Sequence, residues 1–212
     1  MPLVARQLDD EMLTLAEDAL EQGDPHAALA MCDQVLSRAP DHPGAHYITA
    51  EALRDLGELD AAEDAYRKVL AALPEHSAAW SALATVLFDM LRFEEAASCA
   101  ARAIRIDAAN GEAYYCRATL RDRSGDYVGA ERDYLRASRL EPEQFPRPVR
   151  LDDATVEAVV EAAIRALHPS VRAYLAQVPI ILEEVPEPDT CLQYDPPAPP
   201  GDLLGYFAGM SL

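Results

Sequence analysis

The sequence predicts a mainly α-helical protein in which four similar helix pairs stack into a solenoid, followed by a small C-terminal α/β appendage. Three observations predict this. Small residues and prolines recur every 34 residues, apolar residues within each copy stand at helical spacing, and the composition changes after about residue 144. We assign residues 1–144 to the solenoid, 145–150 to a Pro-rich linker and 151–212 to the appendage.

The repeat is visible in three alignment columns whose members stand 34 residues apart. The first column holds Ala28, Ala62, Ala96 and Ala130. The second holds Gly23, Gly57 and Gly125, with Leu91 in the third copy. The last holds Pro40, Pro74 and Pro142, with Ala108 in the third copy. The period divides the chain into units over residues 9–42, 43–76, 77–110 and 111–144.

Each column has a physical reason. Alanine is needed where two helices cross closely, because a larger side chain would push them apart. Glycine suits the turn between two helices, where a left-handed backbone is easiest without a Cβ atom. Proline ends the second helix of a unit. Since Leu91 replaces the glycine, the third turn is expected to be less sharp than the others.

This pattern resembles the tetratricopeptide repeat, a helix-turn-helix unit of 34 residues, over about residues 9–144. The sequence departs from the family pattern in the first two units, which have Met12 and His46 where the third has Trp80. The resemblance implies a right-handed solenoid whose concave surface is lined by the first helix of each unit.

By the same resemblance, nine side chains of these first helices are expected on the concave surface, which we call the groove. They are Tyr47, Glu51, Arg54, Ser81, Thr85, Phe88, Tyr115, Thr119 and Asp122. The resemblance implies a groove for an extended peptide or a helix, with the tyrosines and the phenylalanine as anchors. The alternative is that these are ordinary solvated helix residues.

The residues at the groove positions and the net charge of the chain together limit which partners are expected to bind. Related repeat proteins that bind acidic chaperone C-termini use lysine and asparagine in this groove, whereas here Tyr47, Glu51 and Ser81 stand there. A neutral or basic protein segment is therefore expected. The net charge of −19 disfavours nucleic acid and anionic membrane surfaces. The absence of a long apolar run and of a signal-peptide pattern predicts a cytoplasmic protein that does not enter membranes.

The chain after the repeats has a different character. Three prolines within residues 142–148 forbid a continued helix. An apolar stripe then predicts a helix over Asp153–Leu167, which we expect to pack on the fourth unit as a cap. The segments "VPIILEEVP" (178–186) and "DLLGYFAG" (202–209) are predicted to be strands. Their exposed edge would favour a homodimer formed by strand addition.

The appendage is similar to the opening half of the minimal zincin-like metallopeptidases of bacteria. The residues that match the family wording are Leu203, Leu204, Gly205, Phe207, Gly209 and Leu212. That family continues to a helix carrying H-E-x-x-H, which binds zinc and activates water, and no such motif occurs in this sequence. The resemblance therefore implies an incomplete peptidase-related segment.

No other motif predicts catalysis or a cofactor. His42 and His46 have the spacing of a helical ligand pair, but Pro43 and Gly44 lie between them, so structural roles are expected. The four cysteines lack a C-x-x-C pair and are expected to be buried thiols. We therefore predict a non-catalytic protein–protein interaction module, or scaffold, without metal or cofactor. The alternative is the targeting and N-terminal part of a zinc metallopeptidase whose catalytic helix lies beyond Leu212 or has been lost.

Overall fold

A computed structural model of the chain describes residues 3–149, 152–175, 188–194 and 198. These residues form helices joined by short turns, and no strand occurs among them. The helices are α1 (Leu3–Glu21), α2 (Pro25–Arg38), α3 (Pro43–Asp55), α4 (Leu59–Ala72), α5 (Ser77–Asp89), α6 (Phe93–Ile106), α7 (Gly111–Arg123), α8 (Tyr127–Leu140), α9 (Asp153–Ala166), α10 (Pro169–Leu175) and α11 (Pro188–Cys191). Within these ranges, no helix is long and apolar enough to cross a membrane.

The first eight helices form the four helix pairs that the repeat predicts. Each first helix packs against its own second helix, giving the pairs α1–α2, α3–α4, α5–α6 and α7–α8. Each second helix also packs against the first helix of the next unit. First helices contact one another directly, α1 with α3 and α5 with α7. The first helices therefore form the inner layer of a solenoid and the second helices the outer layer.

The predicted alanine column lies at the centre of each helix pair. Ala28, Ala62, Ala96 and Ala130 are all completely buried. A continuous core of Ala and larger apolar side chains runs through the second and third units and reaches α7 through Cys116 and Leu120. This burial explains why the column contains no side chain larger than a methyl group.

The turn within each unit has the same backbone geometry in all four copies. Gly23, Gly57 and Gly125 have φ angles of 75°, 75° and 82°, and Leu91 follows them with φ 63°. The N–H of Arg92 donates to the carbonyl of Leu87 at 2.8 Å, as Glu58 N–H does to Leu53 at 2.9 Å. The expectation of a less sharp third turn is therefore wrong, because Leu91 adopts the left-handed conformation that glycine adopts elsewhere.

A side chain hydrogen-bonds the loop before the first helix in the second, third and fourth units, including at His46, where the sequence departs from the family pattern. The indole Nε1 of Trp80 donates to the carbonyl of Pro74 at 2.9 Å. In the second unit, Nε2 of His46 lies 2.8 Å from the equivalent carbonyl of Pro40. In the fourth unit, Arg136 donates to the carbonyl of Ala108 at 3.2 Å. The loop carbonyl is thus bound by a different side chain in each of these units.

Buried carboxylates of the second helices form ion pairs with arginines of neighbouring helices and turns. Glu63 on α4 accepts hydrogen bonds from Arg67 on the same helix and from Arg92 in the next unit, at 2.6 and 2.5 Å. Burial opposes the charge of Glu63, but these two guanidinium groups outweigh it and lower its pKa. Asp133 is held in the same way by Arg117 and Arg121.

The solenoid ends differently from the prediction. After α8, Phe145 is buried, although it was assigned to the linker. Helix α9 forms where the apolar stripe predicts it, but its described side chains are exposed or half-exposed. The substantial packing between described helices lies within α1–α8, so α9 does not cap the fourth unit. The two predicted strands lie outside the described residues.

Candidate functional site

The groove is built from equivalent positions on α3, α5 and α7. The sequence spacing puts these side chains on one face of each first helix because they stand three or four residues apart. Eight of the nine are half-buried, as expected for side chains that line a concave surface. Ser81 is the exception, since it is completely buried.

A polar network runs across the groove and covers Ser81. Arg54 donates to Glu51 on its own helix at 2.6 Å and to Glu112 on α7 at 3.3 Å. The other oxygen of Glu112 accepts from the Ser81 hydroxyl at 2.6 Å. The hydroxyl of Tyr66, on α4, donates to Glu51 at 2.6 Å. The guanidinium group of Arg54 therefore pairs with two carboxylates that belong to different units.

Glu112 is the groove residue that sequence reasoning missed. It stands one residue after the start of the first helix, at the same repeat position as Gly44 and Ala78. Those two residues are small and uncharged. The available signal was the charge of Glu112, which the second and third units lack at this position. Burial raises the pKa of the Glu112 carboxyl, although Ser81 and Arg54 act against this increase.

The predicted aromatic anchors are partly engaged within the protein. Tyr47 packs edge-on against Tyr66, with ring centroids 6.0 Å apart, and its ring also lies 5.2 Å from His76. Burial and the nearby Glu51 raise the pKa of Tyr47, so its hydroxyl stays protonated at neutral pH. The ring of Tyr47 is therefore packed against two rings of the protein itself.

Tyr115 packs against two aromatic rings of the fourth unit and the chain that follows it. Its ring lies 5.2 Å from Tyr134 and 5.3 Å from Phe145. The chain after α8 thus covers part of the groove at the fourth unit.

The ends of α5 and α7 form the remaining part of the groove. Phe88 contacts Phe93 at 5.4 Å, and the guanidinium of Arg123 lies 4.4 Å above the Phe93 ring. The hydroxyls of Thr85 and Thr119 donate to main-chain carbonyls of their own helices, at 3.3 and 3.1 Å. Their methyl groups and the Phe88 ring therefore offer an apolar surface within a polar rim.

Two of the histidines cap helices. His42 and His76 precede α3 and α5, and each Nδ1 accepts a hydrogen bond from a backbone N–H three residues on. Asn110 does the same for α7, from the same repeat position. In the part of the chain that the structure describes, no three His, Cys, Asp or Glu side chains converge as a metal site.

Three of the cysteines, Cys32, Cys99 and Cys116, are unsuited to nucleophilic chemistry. All four are free and buried. Burial raises the pKa of Cys32 and of Cys99 to about 11 and that of Cys116 to about 12. These three thiols are therefore protonated at neutral pH, and a thiolate is the form that reacts.

The described residues form two surface pockets, each of about 280 Å³. The first lies among α4, α5 and α6, beside Trp80, and has both Arg67 and Glu95 at its edge. The second, which we call the end pocket, adjoins the groove network. The end pocket is lined by Ser77, Ser81, Asn110, Glu112, Glu141 and Phe145, among others.

Comparison with known proteins identifies the repeats. A family model described as Tetratricopeptide repeat matches residues 13–77 and 81–145, together more than half of the chain. The match ends at residue 145, so the resemblance of residues 151–212 to zincin-like peptidases receives no support from it. No protein of curated function matches the sequence.

Solved structures share the fold at low sequence identity. MamA from Desulfovibrio magneticus RS-1 is 22% identical, with a TM-score of 0.54, over 64% of this chain and 76% of that one. A thermophilic repeat protein from Thermus thermophilus is 23% identical, with a TM-score of 0.57, over 63% and 75%. An O-GlcNAc transferase mutant from Thermobaculum terrenum is 20% identical, with a TM-score of 0.61, over 66% of this chain but 27% of that one. At these identities, the matches show the fold alone.

Proposed function

Because this chain belongs to the tetratricopeptide repeat family, whose stacked helix pairs form extended concave binding surfaces, we propose that it is a protein-interaction module that binds a peptide or a helix in its groove. The observation that carries the proposal is the half-buried set of side chains on α3, α5 and α7. An apolar strip around Phe88 lies between hydrogen-bonding groups there. Surfaces of this kind bind through a few buried anchors within a polar rim.

The charge of the groove favours a neutral or basic segment. Glu51 belongs to the groove positions of the second unit, and Glu112 and Asp122 belong to the fourth. Arg54 is already engaged by Glu51 and Glu112. The only lysine of the chain, Lys68, is exposed on α4, which belongs to the outer layer. An acidic ligand would therefore meet net repulsion both in the groove and from the whole chain, whose charge is −19.

A selection experiment tests this proposal. A random peptide library is selected on the full chain, and the affinity of the recovered peptides is measured by fluorescence anisotropy. Single modules of this kind typically bind with Kd values of about 1 µM, so recovered peptides should fall in that range. Their mean charge should be zero or positive.

Two matched substitutions locate the binding surface. Thr119→Arg places a long cation in the groove and should abolish binding of the recovered peptides. Ser37→Arg makes a comparable change on the exposed surface of α2 and should leave affinity unchanged. Binding that survives Thr119→Arg would contradict the groove assignment. Recovery of predominantly acidic peptides would contradict the charge argument.

A further inference from the structure

The end pocket lies between α5, the start of α7 and the chain that follows α8. Ser77 and Ser81 come from α5, Asn110 and Glu112 from the start of α7, and Glu141 and Phe145 from the chain after α8. Its volume of about 280 Å³ is below the range of roughly 300–1,000 Å³ that is usual for drug-sized ligands. A pocket of this size suits one long side chain of a partner rather than a separate cofactor.

The side chains that line the end pocket carry negative charge and no positive charge. Its charged lining residues are Asp107, Glu112 and Glu141. Glu112 shares Arg54 with Glu51, and the contact with Glu112 is the longer of the two, 3.3 Å against 2.6 Å. Within the described residues, the carboxylate of Glu141 makes no ion pair or hydrogen bond. Apart from Arg54, which Glu112 shares with Glu51, the described lining residues give the pocket's carboxylates no positive charge.

Gly111 allows the two groups of the C-terminal wall to approach α7. A Cβ atom at this position would lie 2.5 Å from Oε1 of Glu141 and 3.2 Å from the Phe145 ring. The ring of Phe145 is held in place by Tyr115, 5.3 Å away. The Phe145 ring is thus packed against the start of α7, and the Glu141 carboxylate lies beside it.

We propose that the end pocket receives one basic side chain of the partner segment, and that arginine is preferred. An aromatic ring attracts a cation, and a planar guanidinium group can stack on a ring while donating to carboxylates on either side. The Glu112 and Glu141 carboxylates provide acceptors from two walls of the pocket. This inference rests on the proposed function, because it names the chemistry that anchors a segment in the adjoining groove.

A metal ion is a weaker match for the end pocket. Bound calcium or magnesium requires several converging oxygen ligands. In the described part of the chain, no three His, Cys, Asp or Glu side chains lie close enough together to hold an ion. Phe145 also occupies a wall where a metal site would place a ligand or water.

The test uses a small probe and the full chain labelled with ¹⁵N. N-acetyl-L-arginine methylamide is titrated while the backbone amides of Gly111 and Glu112 and the side-chain amide of Asn110 are followed by NMR. We expect saturable shifts at these groups. The citrulline counterpart, which has nearly the same shape without the charge, should give none. The lysine counterpart should bind more weakly than arginine.

Two glutamine variants in the same short segment separate the pocket from general charge effects. Glu141→Gln removes a carboxylate of the pocket and should weaken arginine binding about fivefold, the scale of one ion pair. Glu143→Gln removes the same charge at an exposed position that does not line the pocket, and should leave the affinity unchanged. An equal loss in both variants would overturn the proposal.

The outcomes also separate this inference from the proposed function. Peptides that bind the groove but carry no basic residue, together with an arginine probe that gives no shifts at Asn110 and Gly111, would overturn the pocket assignment alone. Saturable arginine binding without any recovered peptide would support the pocket while contradicting the proposed function. Equal binding of citrulline, or tighter binding of lysine, would overturn the preference for a guanidinium group.

Discussion

Arg54 on α3 and Glu112 on α7 are 58 residues apart in sequence, yet Nη1 of the guanidinium lies 3.3 Å from Oε1 of the carboxylate. The contact joins the second unit to the fourth and passes over Ser81 of the third. Since both side chains are about seven-tenths buried, the pair is better shielded from solvent than an ordinary surface ion pair.

Arg54→Met should lower the free energy of unfolding by roughly 2 kcal/mol. The substitution leaves the carboxylates of Glu51 and Glu112 half-buried without their shared cation, which is costly even though burial is incomplete. Urea unfolding followed by circular dichroism measures the loss. Arg102→Met, which removes the more exposed pair with Glu75, should cost less than about 1 kcal/mol. Equal losses would mean that the groove pair contributes no more than a surface pair.

Gly57→Ala should lower the free energy of unfolding by about 1 kcal/mol. An added Cβ at Gly57 meets no atom within 4 Å, so the cost comes from the φ angle of 75° alone. Leu91→Gly should change stability by less than about 0.5 kcal/mol, because relief of the same strain offsets the greater freedom of the unfolded chain. A loss above about 1 kcal/mol at Leu91 would show that its side-chain contacts outweigh the backbone strain.

Ala62→Leu and Ala96→Leu should each lower the free energy of unfolding by about 1–3 kcal/mol. Both alanines are completely buried between helices, so a larger side chain forces the helices apart. Ala71→Leu, at an exposed position of α4, is the control and should change stability by less than about 0.5 kcal/mol. Melting of the buried variants together with the parent protein would contradict the alanine column.

Glu63→Gln should remove part of the acid sensitivity of the protein. The guanidinium groups of Arg67 and Arg92 lower the pKa of Glu63 below its ordinary value of 4.5 in spite of burial. The ionised form therefore stabilises the fold above about pH 4.5, and this contribution is lost as the pH falls through the lowered pKa.

Unfolding free energies at pH 7 and at pH 3 measure this contribution. The difference between the two pH values should be smaller for Glu63→Gln than for the parent. Glu58→Gln, an exposed position with no cap hydrogen bond, should behave like the parent. If the pH dependence is the same in all three proteins, the ionised Glu63 does not stabilise the fold.

The repeats could be predicted from the sequence because their determinants are local. Ala62 and its equivalents must be small, and Gly57 must adopt a positive φ, so a simple 34-residue spacing carries the information. Leu91 shows the limit of such reasoning. The strain of one leucine is small compared with the packing of a whole turn, so tertiary contacts impose the left-handed conformation there.

The groove could be predicted only in part because its properties depend on distant pairs. Periodicity identifies Tyr47, Thr85 and Thr119 as members of one surface, and the structure leaves them half-exposed. Periodicity does not show that Glu112 would cover Ser81, since that contact joins separate units. Similarly, no local pattern indicates that Phe145, next to a proline, would pack against Tyr115.

The ion pair between Arg54 of the second unit and Glu112 of the fourth affects how the protein unfolds. Stacked-repeat proteins usually behave as a row of neighbours, so that fraying can start at an end and advance by single units. Here the melting of α7 would also remove a partner from α3, two units away. The last three units are therefore tied into one cooperative block, and α1 with α2 forms the end that can fray by itself.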